Sequence, residues 1–531
     1  TTRLVGSEMC IRDSVKGLAA GLDLEMPSSG GLNDAKIVEA VKNGTLDEKV
    51  LDTAVKRILE QVYRYRDVKG GEHIFDRSAD HKKAADIAKE CMVLLKNDGA
   101  LPLPHSNAKI AFIGAFAKAP RIQGGGSSHI NTGNISNALD SAAKYSDVSY
   151  AEGYERESND TNPALLEEAV QLAADSDVAV IFAGLPDSFE SEGYDRQHMR
   201  MPDCQNELID EICKVQENVI VVLHNGSPVE MPWNDKVSAV LEVYLCGEAT
   251  GEATADILFG KANPCGKLAE TIPMKLSDTP SYLTFPGDRH AEYNEGVFVG
   301  YRYYDKKEMA VRYPFGHGLS YTTFEYSDIK LSDTAVGDDD ILTVNVVITN
   351  TGNCAGKEIV QLYVADKSGF AVRPEKELKD FIKIELQPGE RKTVTFRLDK
   401  RAFSYYNEEL GDWYAPNGKY DIMIASSSRD IRLTAEVTHK TAVKLPFVAT
   451  ENTVFGEFMD YAEGKATIDL LFSKVAKGLL GGDHFEPEAV RSMIGSMPLR
   501  QIRSFGGISD ELLHQAVDML NKDFGGFKAQ M

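Results

Sequence analysis

The 531-residue sequence predicts a multidomain chain that combines a doubly wound α/β domain with an all-β sandwich. Three patterns support this prediction. Near-continuous apolar strands alternate with helices over residues 108–275, apolar and polar residues alternate over residues 336–437, and helical patterning follows over residues 438–531. The first pattern is typical of a parallel sheet covered by helices on both faces, and the second is typical of half-buried antiparallel strands.

The composition excludes several classes of protein. The chain has 58 Lys and Arg against 81 Asp and Glu, a net charge of −23, which argues against a nucleic-acid partner because phosphate binding needs clustered cations. The sequence contains no run long and apolar enough for a membrane helix, so we expect no membrane partner. Its seven cysteines include no CxxC pair, which favours a reducing, cytoplasmic compartment and argues against a metal site.

Residues 15–66 are typical of the end of an alternating β/α domain. Leu22, Leu24 and Met26 alternate with acidic residues and predict a short strand, and two amphipathic helices follow. One strand and two helices cannot enclose a core, so the sequence predicts that a larger domain surrounds them. Residues 67–107 read as a linker with a helix over residues 81–95.

The α/β domain is predicted over residues 108–275. Asn162 and Pro163 mark the start of one of its helices, as a cap and a first helical residue. The four predicted strands are residues 109–114, 177–184, 218–223 and 237–245.

The period of the pattern changes to two after an aromatic-rich and glycine-rich stretch, residues 276–335, which we interpret as an ordered connector. About seven short strands over some 100 residues indicate an immunoglobulin-like β-sandwich. Its clearest inward positions are Leu342, Val344, Val346, Ile348, Val360, Leu362, Val364, Val394, Phe396, Leu398, Tyr420, Ile422 and Ile424. Residues 438–531 are predicted to form a helical extension.

The densest polar cluster, residues 189–196, follows a predicted strand of the α/β domain. It carries two carboxylates, Glu190 and Glu192, and Gly193 permits a sharp turn that presents Glu192. α/β domains place functional loops at this position. The alternative interpretation is a solvated acidic loop, since general acid catalysis would require burial to raise the pKa of one carboxyl group.

Other motifs favour structural interpretations. The glycine-rich loop at residues 123–128 matches no nucleotide-binding motif, so a flexible loop or a close backbone approach is the better explanation. We interpret His224 as structural, and Trp233 and Trp413 as core residues. The charged segment 373–379 is predicted to be either a solvated face or an interdomain latch.

Several phrases of this chain resemble glycoside hydrolase family 3, in particular bacterial β-glucosidases. The resemblance implies a (β/α)8 barrel, of which residues 15–66 would be the last part, then an α/β sandwich and a fibronectin type III-like domain. The matching phrases are residues 15–27 (VKGLAAGLDLEMP), 94–104 (LLKNDGALPLP), 190–196 (ESEGYDR), 225–228 (NGSP), 260–267 (GKANPCGK), 299–304 (VGYRYY), 313–325 (YPFGHGLSYTTFE) and 373–381 (RPEKELKDF).

The resemblance also implies a retaining mechanism on β-linked glucosides or short oligosaccharides, which needs two carboxylates and no cofactor. Glu192 matches the acid/base position, and Glu190 ranks second. The family's nucleophile lies in a Ser-Asp-Trp phrase, which the preceding residues do not contain; Glu8 and Asp13 have the wrong neighbours. We therefore expect residues 1–14 to be foreign to the family, most of the barrel to be missing, and the chain alone to be inactive.

Two alternatives remain open from the sequence. The first is β-xylosidase activity in the same family, because the missing barrel would decide between glucose and xylose; N-acetylglucosaminidases generally lack this second-domain glutamate. The second is a non-catalytic carbohydrate-binding or scaffold protein. A homodimer is a further expectation, and the sequence identifies no substrate-binding residues.

Overall fold

The computed structural model describes residues 14–26, 28–68, 75–105, 108–459, 461–471, 494–506 and 508–528. The chain divides into two compact units, Thr1–Gly266 and Lys267–Met531. Within the described ranges, no helix has the length and apolar character needed to cross a membrane.

The described part of the first unit opens with three helices, α1 (Ser14–Ala19), α2 (Leu32–Lys42) and α3 (Glu48–Val68). Leu18, Ala40, Leu46 and Ala54 form a small core between them. The strand predicted at Leu22–Met26 is wrong: these residues form a loop, and Leu24 and Met26 are exposed. A parallel strand needs a neighbour to satisfy its backbone groups, and this segment is paired with none in the described residues. That the segment is the end of a barrel stays a prediction.

A six-stranded sheet forms the centre of the α/β domain, in the order β1-β6-β5-β4-β2-β3. Five strands are parallel, and β1 pairs antiparallel with β6 at one edge. The strands are β1 (Val93–Asn97), β2 (Ile110–Ile113), β3 (Val148–Ala151), β4 (Val178–Gly184), β5 (Val219–His224) and β6 (Ala239–Glu242). The helices are α4 (Arg77–Cys91), α5 (Ala138–Ala142), α6 (Pro163–Ala174), α7 (Asp203–Ile212) and α8 (Thr250–Leu258).

Two of these strands, β1 and β3, were not predicted. The helix expected over residues 81–95 ends at Cys91, and β1 begins at Val93. Met92, Val93, Leu94 and Leu95 are all buried, so a short apolar run that also fits a helix pairs with the sheet instead. An antiparallel edge strand on a parallel sheet is common. The linker predicted over residues 67–107 therefore contributes a helix and a strand to the α/β domain.

The connections make the sheet doubly wound. Helices α4 and α5 pack against α8, whereas α6 packs against α7. The chain passes from β2 outward to β3, and then returns to β4 on the other side of β2. In such sheets the carboxyl ends of the two strands beside this reversal border a crevice. The loops that follow β2 and β4 are therefore the first place to look for a site.

The second unit contains the predicted β-sandwich. Strands β9 (Phe324–Leu331), β11 (Leu342–Asn350) and β14 (Arg391–Leu398) form one sheet. The other sheet contains β10 (Ala335–Val336), β12 (Gly356–Asp366), β13 (Glu377–Leu386), β17 (Gly418–Ser427) and β18 (Asp430–His439). The inward positions predicted by the alternation are all buried in one core, which confirms the period-two interpretation.

The sandwich begins earlier than predicted. Strand β9 lies within residues 276–335, yet it pairs with β11, so the connector is shorter than the sequence indicated. The alternation in β9 is disturbed, because Asp328 has a φ of 58° and the register against β11 shifts. The rest of this stretch holds the helix α9 (Tyr301–Lys306) and the strand β8 (Val311–Tyr313), which pairs with β7 (Ile272–Pro273) just before the stretch.

Charged residues of the segment 373–379 attach α9 to the sandwich. Asp305, on α9, accepts hydrogen bonds from Lys376 Nζ at 2.7 Å and from Arg429 Nε at 2.8 Å. Arg373 is buried against Asp366 and Glu377. The segment is therefore a latch inside the second unit, which corrects the solvated-face alternative and places these contacts within one unit instead of between domains.

Short elements complete this unit: α10 (Lys400–Phe403), and the hairpin of β15 (Tyr405–Asn407) and β16 (Asp412–Tyr414). Beyond the sandwich, α11 (Ile502–Gly506) and α12 (Asp510–Phe524) follow, and β19 (Leu445–Pro446) pairs with β20 (Phe527–Lys528). Apolar residues of this extension, among them Phe455, Phe458 and Leu513, form a core of their own. The described part of the extension is thus helical only in part.

Candidate active site

The two polar clusters found in the sequence meet at the carboxyl edge of the sheet. The glycine-rich loop follows β2, and the acidic loop follows β4. Glu192 N–H donates to Gly125 O at 3.4 Å, so the two loops are joined through their backbones. The reversal of strand order between β2 and β4 brings together segments that lie more than 60 residues apart in sequence.

The Glu190 carboxylate is fully engaged by groups of the protein. Arg121 Nη1 donates to Glu190 Oε2 at 2.6 Å, Gly226 N–H donates to the same oxygen at 2.9 Å, and the Ser227 hydroxyl donates to Oε1. Arg121 is buried, and its guanidinium also binds Asp187 and the carbonyl groups of Leu185 and Glu190. Because both carboxylate oxygens accept hydrogen bonds from the protein and one of them pairs with a buried cation, Glu190 anchors its loop.

Glu192 has a different environment, although it lies only two residues away. Its side chain is exposed, and its Oε2 accepts a hydrogen bond from Ser127 N–H at 2.5 Å. Hydrogen bonds from the side chain and the backbone of Ser127 hold the pKa of Glu192 below its ordinary value. Its Oε1 carries no hydrogen bond within the part of the chain that the structure describes.

The close contact between the two loops requires glycine at two positions of the glycine-rich loop. Gly126 has a φ of +89°, and a Cβ there would collide with the Glu192 side chain. A Cβ at Gly125 would collide with Ser191. The loop therefore approaches a carboxylate, and the interpretation as a close backbone approach agrees with this geometry.

Further contacts hold both loops in place. Arg196 Nη1 donates to Ser227 Oγ and to Pro228 O, both at 2.8 Å, which ties the acidic loop to the NGSP phrase. Glu248 holds the segment that follows the glycine-rich loop. It accepts a hydrogen bond from the Thr132 hydroxyl, and its Oε1 lies 2.9 Å from His81 Nδ1. Sequence reasoning missed Arg121 and Glu248, because each acts on a partner far away in sequence.

Comparisons with known proteins agree with the matching phrases. Residues 92–321 match the model of the glycosyl hydrolase family 3 C-terminal domain, and residues 358–428 match a fibronectin type III-like domain. The chain is 49% identical over 519 residues to thermostable β-glucosidase B of Acetivibrio thermocellus, covering 96% of this chain and 69% of that protein. The chain belongs to glycoside hydrolase family 3.

Two further family 3 proteins are similar to this chain, and one of them has a different named activity. An exo-α-(1→6)-L-arabinopyranosidase of Bifidobacterium breve is 41% identical, over 84% of this chain and 60% of that protein. The crystal structure of a β-glucosidase from Bifidobacterium adolescentis superposes with a TM-score of 0.77 at 41% identity, covering 86% of this chain and 67% of that one. The relatives are glycosidases, and the chain spans about two thirds of their length.

The remaining predicted residues have the following places in this family 3 chain. Trp233 is fully buried, as predicted. Burial lowers the pKa of His224 to about 3, which keeps its imidazole neutral, but neither ring nitrogen has a hydrogen-bond partner among the described residues, so it is not the satisfied structural histidine that the sequence led us to expect. Trp413 is 38% exposed, so its interpretation as a core residue is wrong; it lies in the short hairpin of β15 and β16. Glu8 and Asp13 lie outside the described residues.

Proposed function

We propose that this chain carries the acid/base part of a retaining family 3 glycosidase of the β-glucosidase type, with Glu192 as the acid/base residue. The contrast between the two neighbouring carboxylates supports this assignment. Glu190 has both oxygens occupied by Arg121, Gly226 and Ser227, whereas Glu192 is exposed and keeps one oxygen free. A catalytic carboxylate needs an oxygen within reach of the scissile bond.

In this mechanism Glu192 would act twice. As an acid it would protonate the leaving oxygen, and as a base it would then take a proton from the water that attacks the glycosyl-enzyme. Ser127 N–H stabilises the ionised carboxylate, which favours the second role. The first role needs a higher pKa, which a sugar covering the exposed carboxylate would supply by removing water from it.

The nucleophile would come from outside these 531 residues, since the sequence contains no Ser-Asp-Trp phrase. A retaining enzyme without its nucleophile loses the covalent route. The chain as given is therefore expected to show no hydrolysis of aryl β-glucosides. If the chain did hydrolyse the substrate and Glu192→Gln abolished that activity, the acid/base role of Glu192 would be supported. The same result would contradict the expectation that the chain lacks a nucleophile.

A chimera separates the two parts of the proposal. The portion of the Acetivibrio thermocellus relative that this chain does not match would be joined to residues 15–531. In that protein, Glu192→Gln is expected to slow substrates with poor leaving groups far more than activated aryl glucosides, which need little protonation. Equal losses on both substrates would contradict an acid/base role. Glu190→Gln is the matched variant, and its effect should be on stability, with no dependence on the leaving group.

The arabinopyranosidase relative favours a second candidate, hydrolysis of α-L-arabinopyranosides. The same chimera, assayed on aryl β-glucoside, β-xyloside and α-L-arabinopyranoside, would rank the glycosides by kcat/KM, although the grafted portion contributes to that ranking. A folded chimera that hydrolyses none of them would favour the non-catalytic, carbohydrate-binding alternative.

A further inference from the structure

A cavity of about 530 Å³ lies beside the sandwich of the second unit. Its walls come from the latch segment 373–379, the end of β14, α10 and the hairpin of β15 and β16. The volume falls within the range of about 300–1,000 Å³ that is typical of small-ligand sites. All the residues that line it belong to the second unit, and none belongs to the site around Glu192.

Three aromatic side chains, Tyr405, Tyr406 and Trp413, line this cavity, and Tyr406 and Trp413 are the most exposed of them. Trp413 and Tyr406 are cross-strand partners in the hairpin, with ring centres 5.5 Å apart. Tyr406 is 51% exposed and Trp413 is 38% exposed, so both rings are accessible from the cavity. Such rings supply contact area for the apolar face of a sugar or another ring.

The cavity is positively charged, although the chain as a whole is strongly acidic. Five cations line it against three carboxylates: Arg302, Arg373, Lys379, Arg397 and Arg401 against Glu377, Asp380 and Asp399. Two of the carboxylates are already used by backbone groups, since Asp399 accepts from Arg401 N–H and Asp380 accepts from Phe381 N–H. The third, Glu377, is shared among Arg302, Arg373 and Lys379.

Arg397 and Arg401 remain available to a ligand. Within the described residues, neither guanidinium has a carboxylate partner. Arg401 Cζ lies over the face of the Trp413 ring, a cation–π arrangement, and a guanidinium group can bind a planar acceptor such as a carboxylate through its N–H donors. Burial lowers the pKa of Lys379 against the opposing effect of Glu377, so an added anion would also stabilise its charged form.

We propose that this cavity is a second, non-catalytic site that binds a carbohydrate bearing a carboxylate, such as a uronic acid. The aromatic pair would contact the sugar ring, and Arg401 and Arg397 would bind its carboxylate. A neutral sugar would leave both guanidinium groups without an acceptor, so the site should discriminate against glucose.

The experiment is a titration of the chain with sodium D-glucuronate, followed by calorimetry and tryptophan fluorescence. Because Trp233 is buried, a change in emission reports mainly on Trp413. A dissociation constant of about 1 mM is expected for a ligand of this size. Arg401→Gln should weaken binding on the order of tenfold, because a charge-assisted bond is lost. The matched control is Arg391→Gln on the same strand as Arg397, where Arg391 pairs with Asp328 outside the cavity.

Each outcome decides the proposal. Glucuronate binding that Arg401→Gln weakens and Arg391→Gln leaves unchanged supports it. Absence of binding, equal affinity for glucose, or equal loss in both variants overturns it. Equal affinity for inorganic phosphate also overturns it, because the contact between the aromatic side chains and the sugar ring would then contribute nothing to binding. Circular dichroism of each variant shows whether it is folded, and Arg397→Gln provides a second test on the other guanidinium.

Discussion

Ser127 N–H donates a hydrogen bond of 2.5 Å to the Glu192 carboxylate, although the two residues are 65 positions apart. The contact joins the loop after β2 to the loop after β4, at the point where the strand order reverses. The backbone of the glycine-rich loop therefore binds a carboxylate of the protein itself.

Gly126→Ala should break this contact. The added Cβ would collide with Glu192, and the φ of +89° is unfavourable for alanine. We expect a stability loss of about 1–3 kcal/mol and a rise of the Glu192 pKa toward its ordinary value. Urea unfolding and ¹³C NMR titration of the carboxyl group measure the two effects.

Gly193→Ala is the matched control for that substitution. Gly193 also has a positive φ, of +97°, but a Cβ there meets open space. It should therefore cost stability without changing the Glu192 pKa. An unchanged Glu192 pKa in Gly126→Ala would show that Ser127 does not depend on the glycine loop for its position.

Arg121→Met should destabilise the first unit by about 3–5 kcal/mol, because it leaves the Glu190 carboxylate without its buried cation. Denaturant unfolding measures the loss. The double variant Arg121→Met with Glu190→Gln should recover a large part of it, since the uncompensated charge is then removed as well. Purely additive losses would contradict a coupled pair.

The stability of the first unit should fall as the pH decreases from about 6.5 toward 3. Burial holds the pKa of His224 at about 3, so the folded chain keeps it neutral while the unfolded chain gains a proton below about pH 6.5. The contribution is complete above the unfolded pKa and declines by about 1.4 kcal/mol per pH unit below it. Thermal unfolding at several pH values measures the slope.

His224→Leu should reduce that slope, because leucine does not titrate. Val222→Ala, on the same strand, is the control: it removes buried methyl groups and should lower stability by a similar amount at every pH. If His224→Leu retains the full slope of the parent chain, another group is responsible.

Asp305→Asn should loosen α9 from the sandwich. The substitution leaves Lys376 and Arg429 without their shared carboxylate, and we expect a loss of about 2 kcal/mol together with faster proteolysis around residues 276–300. Lys306→Gln is the comparison on the same helix, since its pair with Glu375 is exposed and worth about 0–1 kcal/mol. Equal effects of the two variants would contradict the latch.

Local patterns in the sequence were sufficient for much of the fold. The alternation at Leu342, Val344, Val346 and Ile348 predicted strand β11 and its buried face. Asn162 and Pro163 predicted the start of α6, and the Asn162 side chain accepts a hydrogen bond from Ala164 N–H. These signals are carried by residues a few positions apart, so the sequence displays them directly.

The family phrase ranked Glu192 above Glu190, but only the tertiary structure shows the physical difference between the two carboxylates. Both stand in the same loop with similar neighbours, and the difference comes from Arg121, 69 residues earlier, and from Ser227, 37 residues later. The same holds for Trp413, whose exposure depends on how its hairpin lies beside the sandwich. By itself, the sequence determined the periodic elements and the family phrases. Which hydrogen-bond partners each carboxylate has was decided by contacts between distant segments. Only the packed sheet brings those segments within hydrogen-bond distance.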